Sequence, residues 1–182
     1  RDFLLGSNAE RTLRKTGRSI LITRTAATHG YRQVLVPVDF SAHARHALQM
    51  ACALAPAATI TALHVFEAPL EARLEYAGVP ESDIAAYREQ GRRHAEAQLH
   101  EFLAAIPAGA RARIAPQVEI GYPAGVILDT ARNLGADLIA LGKHGRSPVE
   151  EWVLGSVTMH AINHAHCDVL ATDRRSLPAT EG

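Results

Sequence analysis

Short valine- and isoleucine-rich runs recur along this chain, each followed by a stretch with helical periodicity, and that alternation restricts the fold more than any other feature. Residues 33–39 ("QVLVPVD") are too few for a helix and too continuously apolar for a half-exposed strand, so they read as a central parallel strand covered on both faces. Pro37 is tolerable there because it lies near the strand's end. Residues 59–66 ("TITALHVF"), 137–141 ("DLIAL") and 168–172 ("DVLAT") read as further strands. Residues 113–121 ("RIAPQVEIG") alternate and carry Pro116, the pattern of an edge strand.

The intervening stretches have helical spacing. Ser41 offers an N-cap, and Ala44, Ala47, Leu48, Ala51 and Cys52 make an apolar stripe behind it. Residues 84–106 carry Ile84, Tyr87, Gly91, Leu99, Phe102 and Ile106 on one face and interleaved acids and bases on the other, which predicts a long amphipathic helix with a solvated face. Pro123 opens a helix with Val126, Ile127 and Ala131 inward, and Gly135 stops it. A last helix is expected over 153–165. Residues 67–83 ("EAPLEARLEYAGVPESD") keep no steady period and read as an irregular surface excursion. Strands alternating with helices imply right-handed crossovers and an open parallel α/β sheet, complete within 31–173.

A chain of 182 residues, 47% of them hydrophobic, has room for one domain of roughly 100–200 residues and an appendage. Lys plus Arg and Asp plus Glu both number 19, so net charge supplies no general attraction to nucleic acid or membranes, and any anion site has to be local. No apolar run approaches the roughly 18 residues of a membrane span and no signal-peptide pattern opens the chain, so a cytoplasmic location is expected. Cys52 and Cys167 cannot form a disulfide framework and are expected to be buried thiols.

The appendage has an internal echo. Residues 3–24 ("FLLGSNAERTLRKTGRSILITR") align without a gap on residues 152–173 ("WVLGSVTMHAINHAHCDVLATD"): Leu5, Gly6 and Ser7 match Leu154, Gly155 and Ser156, and Leu21 and Thr23 match Leu170 and Thr172. The N-terminal residues therefore read as the closing helix and strand of another copy. Such a pair cannot bury its apolar faces alone and must dock on the complete domain or on a partner chain.

Ligands of open parallel sheets sit outside the carboxyl ends of the strands, where strand order reverses. The first predicted strand ends in Asp39, and the fourth runs into "GKHGRSPVEEWVLGSVT", residues 142–158. Gly142, Gly145, Gly155 and Ser156 can present backbone amides to an anion at the start of a helix, whose dipole favours phosphate. Lys143, His144 and Arg146 add local positive charge. This is not the familiar phosphate loop, which would need Gly at 137 and Ser or Thr at 144, where the chain has Asp137 and His144. Nor does G-x-G-x-x-G follow the first strand.

The pattern G-x-x-G, nine residues, G-S, behind a first strand ending "VPVDFS", resembles the universal stress protein family in its ATP-binding subclass, over about residues 31–172. The resemblance implies an adenine nucleotide alpha hydrolase-like fold, a five-stranded parallel sheet in the order 3-2-1-4-5 with helices on both faces. It implies ATP held through the adenosine part by Asp39 and Val65 and through ribose and phosphates by Gly142, Gly145, Gly155 and Ser156, with Pro37, Val38, Lys143, His144, Arg146 and Val157 alongside. It also implies a regulatory or signalling role in the stress response. Residues 1–24 resemble the end of a preceding universal stress domain, 25–30 a linker and 174–182 a polar tail. Pairing through the last strand, either in a homodimer or within a tandem chain, is the implied assembly. Asp168 stands where relatives often have proline, which bears on that pairing and not on nucleotide.

Plainer readings stand beside these. Asp39 can cap the helix after Ser41, and the glycines can serve only a turn. His160 and His164, four apart with His166 and Cys167 behind them, have zinc-compatible spacing but lack a carboxylate. Glu150 and Glu151 suit a helix start, and Mg2+ is expected only through a bound nucleotide. With no general base, nucleophile pair or metal constellation, fast catalysis is not expected. Slow ATP hydrolysis or autophosphorylation at Ser156 or Ser147 is one alternative, and a nucleotide-free dimerisation module is another. A β-branched residue at Gly142 is expected to abolish ATP binding and leave the fold intact.

Overall fold

The computed structural model describes residues 13, 16–24, 30–68, 70–145 and 154–174. Among the described residues the strands are β1 (Ile20–Ile22), β2 (Gln33–Pro37), β3 (Thr59–Phe66), β4 (Ile114–Ile120), β5 (Leu138–Gly142) and β6 (Asp168–Thr172). They are accompanied by helices α1 (Ala42–Leu54), α2 (Glu71–Tyr76), α3 (Glu81–Ala104), α4 (Ala108–Arg111), α5 (Pro123–Leu134) and α6 (Ser156–His164).

The sheet runs β1-β6-β5-β2-β3-β4. This corrects the expectation of five strands in the order 3-2-1-4-5: residues 20–22 extend the sheet itself, and they do so antiparallel to β6, so the sheet is parallel in its majority and not throughout. The register of that extra pair places Leu21 opposite Leu170, Ile20 opposite Ala171 and Ile22 opposite Val169.

The pleat divides the core in two. Val34 and Val36 face α1 and α3, joining Ala47, Leu48, Leu99 and Phe102. Leu35 faces the other way and joins Ile127, Ile139, Ile162 and Val169 under α5 and α6. Leu48 is fully buried, so its truncation to Ala costs about 2–5 kcal/mol. Leu13 belongs to the second cluster at 2% exposure, so the N-terminal segment adds to the same core.

Local chemistry explains several helix ends. Ser41 Oγ accepts the Ala44 N–H at 3.1 Å and starts α1. Pro123 opens α5, and Gly135 closes it at φ 61°, the left-handed region that favours glycine. β4 lies at the sheet edge with Pro116 exposed within it. The excursion expected over 67–83 is corrected in part, because it contains α2. That helix is tied to α3 by ion pairs from Arg88 to Glu71 and, at 3.7 Å, to Glu75. Among the described residues no helix is long and apolar enough to cross a membrane.

Candidate nucleotide site at the strand reversal

From β2 the chain proceeds outward through β3 to β4, then returns to the other side of β2 as β5. At that reversal a cavity of about 400 Å3 opens beyond the carboxyl ends of β2, β3 and β5, within the size range of small-molecule sites. Of the residues expected at the site, Pro37, Val38, Asp39, Val65, Gly142, His144, Gly145, Gly155, Ser156 and Val157 line it. Arg146, Ser147, Glu150 and Glu151 lie outside the described residues.

The β2 end is shaped by one turn. Asp39 Oδ1 accepts the Ser41 N–H at 3.0 Å, which fixes the carboxylate as the chain bends into α1. Between them Phe40 has φ 66°, and it alone among the described non-glycine residues has a positive φ. Its ring sits 4.3 Å from the His64 ring, and His64 Nδ1 lies 2.7 Å from the Val38 carbonyl oxygen. Asp39 is thus both a turn-former and a cavity residue.

The opposite wall is the glycine loop. A β-carbon on Gly142 would stand 2.8 Å from His43 Cβ and 3.1 Å from the His144 carbonyl oxygen, so only glycine lets β5 pass α1 this closely. The Gly155 N–H donates to the Lys143 carbonyl at 2.8 Å, and Thr158 Oγ1 donates to the Gly142 carbonyl at 2.8 Å. These bonds bring the two halves of the motif together across the intervening residues. Helix α6 begins at the cavity, has no side-chain cap, and directs its positive dipole end there.

Lys143 departs from expectation. Its side chain is 2% exposed and its ammonium donates to the carbonyl oxygens of Thr16 and Arg18, so it does not line the cavity. The physical reason is that burial of an ammonium demands acceptors, and the N-terminal backbone supplies them. His160 and His164 come together, ring centroids 4.6 Å apart, yet no group of three or more metal-binding side chains exists among the described residues.

Several cavity residues were not anticipated: Leu63, His64, Ile127, Leu141 and Thr158 among them. Most are apolar and have the same sequence signature as core positions. Thr158, two residues after the G-S pair, carried the one usable signal. His43 adjoins the site behind Gly142, its ring centroid 5.4 Å from that of His144, with Nδ1 buried. Burial foremost, then the positive charges of His144 and Arg174, lower its pKa, while Asp173 and Asp39 oppose the shift.

A Staphylococcus aureus (strain USA300) protein named for the universal stress proteins is 28% identical over 152 residues, covering 82% of this chain and 88% of its own. A universal stress protein from Archaeoglobus fulgidus DSM 4304 superposes with a TM-score of 0.64 at 23% identity, covering 96% of this chain and 57% of its own. A universal stress protein solved in complex with cAMP has a TM-score of 0.52 at 22% identity, covering 79% of this chain and 98% of its own. The model of the universal stress protein family matches residues 30–173, the stretch that contains the entire cavity wall, and the chain belongs to that family.

Proposed function

We propose that the cavity binds ATP and that the protein is a regulatory or signalling member of the family. The observation that carries the reading is convergence: one carboxylate, Asp39, and a glycine loop that leads into a helix N-terminus face one another over a cavity of nucleotide size. In this reading Asp39 and Val65 hold the adenosine part. The amides about Gly145 and Ser156, with the α6 dipole, hold the phosphates, and Gly155, whose own N–H is given to Lys143, lets the ligand approach the backbone. The family's capacity for nucleotides is supported by the relative solved with cAMP. Mg2+ would come with the triphosphate, since that ion binds mainly through phosphates.

Calorimetric titration with ATP tests the reading, using Asp39→Asn, which keeps an oxygen for the Ser41 N–H and so preserves the turn. The expected result is saturable binding by the native chain, weakened at least about tenfold by the substitution. A native chain that neither co-purifies with nucleotide nor gives a heat signal of either sign on titration overturns it and leaves the interaction-module reading in its place.

We also propose that residues 1–24 are the end of a preceding domain. The register supports this, because Leu21 and Leu170 are equivalent positions of the internal echo and lie directly opposite each other. The comparisons point the same way: the relative that covers 96% of this chain is used over only 57% of its own length, whereas the relative matched over 98% of itself covers 79%. Pairing through β6 would then be intramolecular. The native mass of the intact gene product checks it.

A further inference from the structure

Lys143 lies inside the glycine motif, yet its side chain serves another part of the molecule. The ammonium donates to the Thr16 carbonyl at 2.8 Å and the Arg18 carbonyl at 2.6 Å, with Asp173 Oδ2 3.9 Å away. Its backbone serves the loop: the Lys143 N–H donates to the Thr172 carbonyl at 2.9 Å, and its own carbonyl accepts the Gly155 N–H at 2.8 Å. One residue therefore holds the N-terminal segment, the end of β6 and the glycine that opens α6.

The segment is fastened at its other end as well. Asp168 Oδ1 accepts the Arg24 N–H at 2.7 Å, while Tyr31 donates its hydroxyl to Oδ2 of the same carboxylate at 2.8 Å. Nearer Lys143, Ser19 Oγ accepts the Asp173 N–H at 3.1 Å. The buried ammonium cannot lose the Thr16 and Arg18 oxygens without finding new acceptors, and the backbone that carries it is the one on which Gly155 rests.

We propose that Lys143 is a positioning residue that couples docking of residues 16–24 at the sheet edge to the geometry of the glycine loop. Loosening the segment loosens the loop, and the converse holds by linkage. The coupling stands on these contacts alone; its consequence for nucleotide affinity rests on the ATP reading, where a docked segment favours binding and bound ATP favours docking.

Amide hydrogen exchange on the full chain, first without nucleotide, tests the proposal with two variants. Lys143→Met removes the ammonium and keeps the stem; Ile22→Pro removes the N–H that β1 turns toward Val169 of β6, at a position remote from the loop in sequence. Lys143→Met is expected to speed exchange at the Ile20 and Ile22 amides about tenfold, and Ile22→Pro to speed the Lys143 and Gly155 amides about tenfold, with β2 and β3 unchanged in both. A lysine that merely anchors the segment would leave the Gly155 amide of Ile22→Pro at the native rate, and that result overturns the coupling. If Lys143→Met does not fold, the Ile22→Pro arm decides alone. In a final arm ATP is added to the native chain: slower exchange over 16–24 supports the coupling, and unchanged exchange at saturating bound ATP overturns it. If no ATP binds, the nucleotide reading falls and the ligand-free rates still decide the coupling.

Discussion

Gly145 faces Asp39 so closely that a β-carbon on the glycine would stand 3.2 Å from Asp39 Oδ2. Gly145 is exposed and its φ lies outside the left-handed region, so a side chain is tolerated by the backbone. Gly145→Val is expected to weaken ATP at least about tenfold while stability stays within about 0.5 kcal/mol of native. Calorimetry and urea unfolding of the same preparation check both halves.

Gly142 behaves differently, and the expectation that a β-branched residue there spares the fold is corrected. The added carbon meets His43 Cβ at 2.8 Å and the His43 carbonyl carbon at 3.2 Å, so α1 has to shift. Overpacking of this kind costs about 1–3 kcal/mol. The urea midpoint of Gly142→Val is expected to fall well below that of Gly145→Val.

Acid should destabilise the fold through His43 and His46. Burial is the leading cause that lowers both, followed by His144 and then Arg174 for His43 and by Arg174 for His46. Below about pH 6.5 the unfolded chain takes up protons that the folded chain refuses, so stability is lost as pH falls through that range and is fully present above it. Urea midpoints at pH 5.5 and 7.5 should differ in that direction, and His43→Gln should reduce the difference. An unchanged slope in the variant removes His43 from the account.

Neither thiol should react readily. Burial pushes Cys167 up to about 11, and the charges of Asp168 and Asp137 add to the effect; burial likewise raises Cys52. A thiol reagent at pH 8 is expected to label both rapidly in denaturant and slowly in the native state, Cys52 first because it is the less buried. Rapid native labelling of Cys167 would show that β6 opens.

Removing the α1 cap offers a control away from the phosphates. Ser41→Ala deprives the Ala44 N–H of its acceptor and should cost about 1 kcal/mol in urea unfolding. Loss of much more than that would mean that the Asp39 turn depends on the cap.

What was legible in the sequence was local. Thr59–Phe66 and Asp168–Thr172 are short runs dominated by β-branched and other apolar residues, and Ser41, Pro123 and Gly135 set their helix ends through contacts within a few residues. Helix α2 was not legible because it is six residues long and depends on Arg88, seventeen residues beyond Glu71. The place of Lys143 was hidden for the same reason at longer range, its acceptors lying 127 and 125 residues earlier. The echo between the two ends of the chain announced a strand near residue 21 but said nothing of its antiparallel seat. At the cavity the glycines and Asp39 announced themselves by type, whereas Leu63 and Ile127 are wall residues indistinguishable in sequence from core.

Pro116 leaves a gap in the main-chain donors of β4, the outer strand at the end of the sheet remote from β1. A foreign strand adding there would find its hydrogen-bond ladder interrupted, while the opposite margin, β1, is only three residues long. Neither rim therefore templates fibrillar growth, and crowded or heat-stressed preparations should clump through unfolded chains before native sheets stack end to end.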